Sequence, residues 1–432
     1  MADIKNIVSQ LKSLLTASGV EKYAVSVAET EKRELNTEGT NFNLYRTTFG
    51  KRVSVTAFIG GKKGSSSGND FTPEGLEKVV KTAAQGANSS PEDPANDIAA
   101  YQEPAVFKTG TYEPDMDAFY LRLKELTDTV SAKHPNIKIM ALIASHDKGH
   151  SLYANSNGTE FEDYSGIYSA VLEFAGNDGE KTTGLAYDGV IMGDLAKPVY
   201  TLGNIAKTLA DTENSLNPIS VGGKFEGDII LTPAALGEFG MMLVGNYISA
   251  GVIMDGTSLW KDKLGQKVAS DSLTVRAQAQ DSRIVACQKH TGDGYAAENV
   301  TLIEKGVLKS FMLNLYAANK TGLSVTKNDG GAFVIDEGDT PVADMIASVK
   351  RGLIVGGFSG GQPGANGEFS GVAKNSFYVE DGKIKGAVME TMISGNLEAV
   401  FANVKAISKE QVLDGNSALP YLQTGGITIS GN

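Results

Sequence analysis

The stretch RGLIVGGFSGGQPGANGEFSGVAKNSFYVEDGKIKGAVMETMISGN, residues 351–396, decides how the rest of the chain is read. It opens on a short apolar run, Leu353-Ile354-Val355. It then breaks into Gly-Gly-Phe-Ser-Gly-Gly-Gln-Pro-Gly and resumes as alternating, strand-like segments. Glycine at this density gives up side-chain packing and costs backbone entropy. A chain keeps such glycines where strands bend or bulge, or where another backbone must come close. Two readings follow from the residues alone. One is a set of tight turns between sheet strands. The other is a wall shaped for an extended peptide, with Gly356, Gly357, Ser359 and Gly360 as the candidate peptide-binding residues.

Upstream, Gly227–Leu231 reads as a strand and Thr232-Pro233 as a helix start, with a hydroxyl cap and proline at the first helical position. That helix carries Leu236, Leu243, Val244, Tyr247 and Ile248, with Gly237, Gly240 and Gly245 among them. After Gly265 the pattern alternates at Ser272–Ala277, Asn299–Glu304 and Val307–Met312, and Thr340-Pro341 starts another capped helix. Residues 222–432 are therefore expected to form a larger mixed, mostly β domain.

The N-terminal half alternates differently. Residues 4–17 place Ile4, Ile7, Val8, Leu11, Leu14 and Leu15 on one helical stripe. Strand patterns follow at Tyr23–Val27 and Arg52–Ile59, then a Gly-rich turn and a short strand at Ser65–Ser67. Thr72-Pro73 starts a helix that carries Leu76, Val79, Val80, Ala83 and Ala84 inward. Pro91, Pro94 and Pro104 mark a linker. A helix from Asp115 to Lys133 leads to strands at Ile137–Ser145 and Ser151–Asn155, with Asp147-Lys148-Gly149 read as the turn between them. The expected class is α+β: an N-terminal α+β domain over 1–109, a central one over 110–221, and the C-terminal domain over 222–432.

Composition narrows the function. The 432 residues carry a net charge of -12 with no basic stripe, which argues against direct contact with nucleic acid or an anionic membrane surface. No window approaches a membrane-spanning length of apolar residues. The N-terminus lacks the basic start and apolar run of a secretory signal, so the expected location is the cytoplasm. The single cysteine, Cys287, excludes an intrachain disulfide and a thiolate-rich zinc site.

Local motifs offer no self-contained active site. His146 and His150 have a zinc-helix spacing but sit in a strand-like region, so they are expected to face each other across a hairpin. Cys287 lies three residues from His290, the raw material of a thiol hydrolase, but nothing in the sequence supplies an orienting third group. Gly357–Gly361 resembles a nucleophile elbow in composition but not in register. No catalytic residue and no metal ligand is assigned.

Taken in order, several segments resemble the TldD/PmbA family, metalloproteases also labelled modulators of DNA gyrase. They are Gly50–Val53 with Gly60–Ser65 and Asn69-Asp70-Phe71, then Asn155-Ser156-Asn157-Gly158, then Gly256–Leu259 with Lys263–Ser270. Asn299-Val300 through Lys309, Gly367–Gly371, Glu380-Asp381-Gly382 and Ile393–Leu397 continue the series to near the C-terminus. Thr291–Gly294 and Ser324–Asn328 depart from the family's usual segments. The family's TldD branch carries a His-Glu-x-x-x-His helix and a Cys ligand in the Gly-rich region. Here the corresponding helix, Pro233 to Gly251, has Glu238 as its only carboxylate and no histidine, and the Gly-rich region offers Gly356-Gly357. The chain thus resembles the PmbA/TldE branch. The resemblance implies a cytoplasmic peptidase subunit that holds extended or unfolded peptides and has no cofactor of its own. Zinc is expected in a TldD-like metalloprotease partner. The alternatives are a stand-alone homodimeric peptide-binding scaffold without proteolytic activity, and the Cys287/His290 hydrolase.

Overall fold

A computed structural model describes residues 3–389 and 391–431. In the N-terminal half, seven strands form one sheet. Its order is Lys62–Gly68, Asn41–Ile59, Lys22–Glu38, Ile137–Asn155 and Glu160–Gly176. Ala105–Gly110 and Ala186–Met192 then share the far edge end to end, pairing with Phe161–Gly166 and Tyr168–Phe174 respectively. One sheet thus runs across the boundary expected at residue 109, and it carries two separate helix-covered cores.

Both cores lie on one face. On the strand Ile137–Asn155, Leu142 and Ala144 enter one core while Leu152 and Ala154 enter the other. All four sit at even positions, and side chains two apart share a face. The first core is covered by helices Ile4–Ala17 and Pro73–Ser89, the second by Met116–Lys133 and Ile205–Asn214. Asp3, Thr72 and Asp115 cap three of these helices, each accepting a backbone N–H from the first turn.

The turn expected at Asp147-Lys148-Gly149 does not form. Ile137–Asn155 is one 19-residue strand in the middle of the sheet. Asp147, Lys148 and Gly149 pair with Lys32, Glu31 and Thr30 on one side, and with Ile167, Gly166 and Ser165 on the other. Two flanking strands satisfy every backbone group there, which outweighs a weak local turn preference. His146 and His150 therefore do not face each other across a hairpin. They lie on one strand, four residues and about 13 Å apart, too far to share a metal. His146 is fully buried, its Nε2 against the Thr111 carbonyl at 2.8 Å, and burial pushes its pKa down. His150 bonds Glu162 at 3.0 Å and stacks on Tyr164.

The C-terminal half is built on a 13-stranded mixed sheet. Lys224–Leu231 runs between Ser417–Ser430, antiparallel, and Arg351–Val355, parallel. Ile229 and Leu231 face a core under the helix Pro233–Leu243, while Ile230 faces a second core with Met345, Ile354, Phe377 and Tyr421. A strand covered on both faces reads as an unbroken apolar run, as Ile229-Ile230-Leu231 does. The helix expected over Pro233 to Gly251 ends at Leu243 and widens into a π turn, Val244–Ile248. Ser249 then turns extended and donates its N–H to the Val244 carbonyl, so the chain restarts as the short helix Ala250–Met254.

Candidate functional site: the Gly-rich edge and the groove beside it

Gly356 follows the strand Arg351–Val355, and Gly357, Ser359 and Gly360 lie on the next strand, Gly357–Gly360. Among the described residues that strand pairs on one side only, with Gly371–Lys374. The Gly356 backbone is held at both ends. Its N–H donates to Ser376 Oγ at 3.2 Å, and its carbonyl accepts from the Thr232 hydroxyl at 3.2 Å. Thr232 is also the cap of the helix Pro233–Leu243, so the helix start and the glycine are positioned by one residue.

Glu238 sits one turn into that helix, and its carboxylate accepts the Phe358 N–H at 2.6 Å. A Cβ at Gly357 would lie 3.7 Å from Glu238 Oε1. The helix carboxylate and the Gly-rich strand, 120 residues apart in sequence at this bond, thus face each other. Packing of Phe239, Phe358 and Phe369 rings at 5.2–5.6 Å holds the two elements together.

The glycines have separate reasons. A Cβ at Gly356 would meet the Asn375 carbonyl at 2.2 Å, so another backbone of this same chain occupies that space. Cβ atoms at Gly360 and Gly371 would each meet Phe358 Cζ at 2.6 Å, so those two make room for an aromatic ring. Gly361 has open space around it. Close approach is thus largely internal at Gly356 and Gly360, while a Cβ at Gly357 would meet Glu238 and Lys374 only at ordinary contact distance and Ser359 is exposed.

Two cavities meet beside Gly356. One of about 290 Å³ is lined by Asp188, Thr208, Asp211, Thr232, Pro233 and Gly356 among others. The second, of about 530 Å³, is lined by Leu216, Pro218, Val372, Ala373, Val388 and Met389, with Lys181 and Lys374. Thr212 and Asn375 line both. One wall of the groove therefore comes from the N-terminal half and the other from the C-terminal half. Asp188 is desolvated and its pKa is raised, with the Thr208 hydroxyl and the Gly189 N–H opposing that shift. Apart from Gly356, the residues that shape this groove are not legible in the sequence. Only Asn375 leaves a trace, as an asparagine in the left-handed region (φ 48°) where Asn is tolerated.

The donor set does not fit a zinc ion. Zinc requires three or four nitrogen, sulfur or carboxylate ligands. A His-Glu-x-x-x-His helix with its glutamate at 238 would put histidines at 237 and 242, where this chain has Gly237 and Met242. Glu238 is then the one carboxylate left, and it is engaged by Phe358. Among the described residues, no group of three or more His, Cys, Asp and Glu side chains is arranged to hold a metal.

Cys287 and His290 are not joined into a reactive pair. The thiol packs with Ile284, Ala332, Val334 and Ala418 and donates to the Ile284 carbonyl at 3.0 Å. Burial pushes its pKa up, the opposite of an activated nucleophile. His290 lies instead against the Phe161 and Tyr153 rings, at 5.3 and 5.6 Å.

Glu238 offers a test of the edge itself. Partial desolvation raises its pKa, against the Phe358 N–H bond that lowers it. A carboxyl raised in the folded state costs stability once pH exceeds its unfolded value near 4.5, and the cost is relieved as pH falls back. Glu238→Gln keeps an acceptor for Phe358 without the charge. At pH 7 its stability is expected to equal or exceed that of the parent, with the difference vanishing below about pH 4. Urea unfolding at the two pH values checks this.

A long shared sheet carrying paired helices is thus joined to a mixed sheet whose Gly-rich edge faces a helix. The chain superposes on TldE from Thermococcus kodakarensis with a TM-score of 0.85 and 20% identity, covering 98% of this chain and 100% of that one. It is 24% identical over 417 residues to metalloprotease PmbA of Escherichia coli O157:H7, covering 92% of this chain and 88% of that protein. A PmbA homologue from Haemophilus influenzae is 25% identical over 402 residues, 88% of this chain and 86% of its own length. Residues 224–431 match the PmbA/TldA metallopeptidase C-terminal domain, and residues 23–87 match PmbA/TldA metallopeptidase domain 1. The chain belongs to the PmbA/TldD family of metalloproteases. No helix among its described residues is long and apolar enough to cross a membrane.

Proposed function

We propose that this chain is the metal-free, PmbA/TldE-like subunit of a cytoplasmic TldD/TldE-type peptidase, with the catalytic zinc carried by a TldD-like partner. One observation carries the proposal. The helix and the Gly-rich strand, where the resemblance places the metal ligands of the TldD branch, face each other with Glu238 against Gly357–Phe358, and neither presents a histidine or cysteine there. The chain's own part is to hold an extended or unfolded peptide. The groove beside Gly356 supplies apolar walls at Leu216, Val372, Val388 and Met389 and carboxylates at its other end. Gly356, Gly357, Ser359 and Gly360 are the proposed peptide contacts. A strand with one unpaired side offers backbone groups to a peptide of any sequence.

The test is co-purification with a TldD-like chain, with zinc measured on each protein. The isolated chain is expected to bind no stoichiometric zinc and to leave an unstructured peptide uncut. The mixture is expected to cut it, with zinc on the partner. Zinc-dependent cleavage by the isolated chain overturns the proposal. A homodimeric scaffold would share the lack of zinc but would fail to co-purify with the TldD-like chain.

A further inference from the structure

The covered face of the N-terminal sheet changes character between its two cores. On Ile137–Asn155, Ala144 belongs to one core and Leu152 to the other. The same-face positions between them are His146, Lys148 and His150. The register puts Glu31 opposite Lys148 and Glu29 opposite His150, with Phe49 and Lys51 next in those rows. A cavity of about 580 Å³ lies over them, within the roughly 300–1,000 Å³ usual for small-ligand sites.

Lys148 is the built part of this cavity. Its register partner on the other flank is Gly166, where a Cβ would stand 2.0 Å from the Thr111 carbonyl oxygen. The glycine lets the backbone at 111–112 cross the strand, and the Tyr112 ring lies over the ammonium, with Nζ 4.4 Å from the ring centroid. The Lys148 side chain is only 7% exposed, yet the carboxylate that answers it at 2.5 Å, Glu113, is 73% exposed. A buried ammonium needs a counter-ion. Here the counter-ion is a side chain already held largely in water, so another carboxylate can take its place at small cost. Glu31, directly across the ladder, is turned to Arg33 at 2.5 Å.

We propose that this cavity binds a free α-amino acid with an apolar or aromatic side chain. The ligand carboxylate replaces Glu113 on Lys148, its ammonium meets Glu31, and its side chain lies against the exposed Phe49 ring. Directly opposed residues of an antiparallel pair have Cα atoms about 4.5–5.5 Å apart. A ligand that answers both Lys148 and Glu31 must therefore carry its two charges close together, as an α-amino acid does. Two carboxylates on the same cavity, Glu29 and Glu31, disfavour a phosphate dianion by like-charge repulsion. The site belongs to a different sheet from the Gly-rich edge and does not depend on the peptide-binding reading.

The probe is L-phenylalanine, followed by ligand-observed NMR on the full chain. A dissociation constant of about 1 mM or below is expected. Phenylacetate lacks the ammonium and phenethylamine lacks the carboxylate; each is expected to bind at least about tenfold more weakly. Glu113→Gln removes the internal competitor at an exposed position and is expected to tighten phenylalanine binding about threefold or more. Lys148→Met keeps the side chain's length without its charge and is expected to weaken binding at least about tenfold. Should that variant fail to fold, Glu113→Gln still decides. The proposal is overturned if neither the parent nor Glu113→Gln binds phenylalanine at about 10 mM. Phenylacetate bound as tightly as phenylalanine, or phenylalanine binding that Glu113→Gln leaves unchanged or weakens, overturns it equally.

Discussion

Replacing Gly356 by alanine is expected to lower the stability of the chain by about 3 kcal/mol, the upper end of what an added methyl costs in a packed site. The added Cβ would stand 2.2 Å from the Asn375 carbonyl oxygen and 2.9 Å from its carbon. Both are backbone atoms, so neither can swing aside. Gly356 cannot retreat either, because Ser376 Oγ and the Thr232 hydroxyl hold its N–H and carbonyl. Relief would have to come from shifting the Thr232 cap or the Asn375 turn, and both line the groove. The comparison that isolates the steric cause is Gly361→Ala, where an added Cβ meets nothing within 4 Å. That change is expected to stay within about 0.5 kcal/mol of the parent. Denaturant unfolding of both variants checks the pair; equal effects would remove the steric explanation.

The second large effect falls at Glu162, whose side chain is 9% exposed. Burial alone would raise its pKa, but bonds from Lys5 at 2.9 Å, His150 at 3.0 Å and the Tyr164 hydroxyl at 2.9 Å outweigh it and hold the carboxyl at about 2. A carboxyl depressed below its unfolded value of 4.5 contributes stability above that pH and loses it as pH falls toward 2. The contribution at pH 7 is about 2 kcal/mol, reduced from the full linkage value because Lys5 stays largely in water. Glu162→Ala is expected to lose at least this much at pH 7, since it also leaves the Tyr164 hydroxyl and His150 without their acceptor. The gap between parent and variant should narrow steadily in urea titrations from pH 5 down to pH 3. A gap independent of pH would mean that packing, not charge, sets the cost.

Much of the fold could be read from local pattern. The caps at Thr72, Asp115 and Thr232 act through residues two or three positions away, so their signals are local and their helices begin where expected. The apolar stripes of Ile4–Leu15 and Leu76–Ala84 are periodic enough to name the buried residues. The long strands were read in fragments, because their central positions carry His146, Lys148 and His150 on the covered face. Their partners lie on other elements: His146 Nε2 meets the Thr111 carbonyl and Lys148 meets Glu113, each 35 residues away, and His150 meets Glu162 on the neighbouring strand. A window of 11–18 residues does not contain the partners of His146 and Lys148.

The candidate site divides in the same way. That glycine and methionine, not histidine, stand at 237 and 242 around Glu238, and glycine, not cysteine, at 356 and 357, is residue type, and the sequence by itself determined it. So did the α+β class and the dense glycine of residues 351–396. What each glycine is for was decided only by tertiary structure: Asn375 backbone against Gly356, the Phe358 ring against Gly360, open space at Gly361. So were the meeting of Glu238 with Phe358 and the groove between the two halves. The physical reason is separation. Backbone conformation and helix capping are settled by neighbours a few residues away, whereas steric exclusion and cavities depend on which distant segments the two sheets bring into contact.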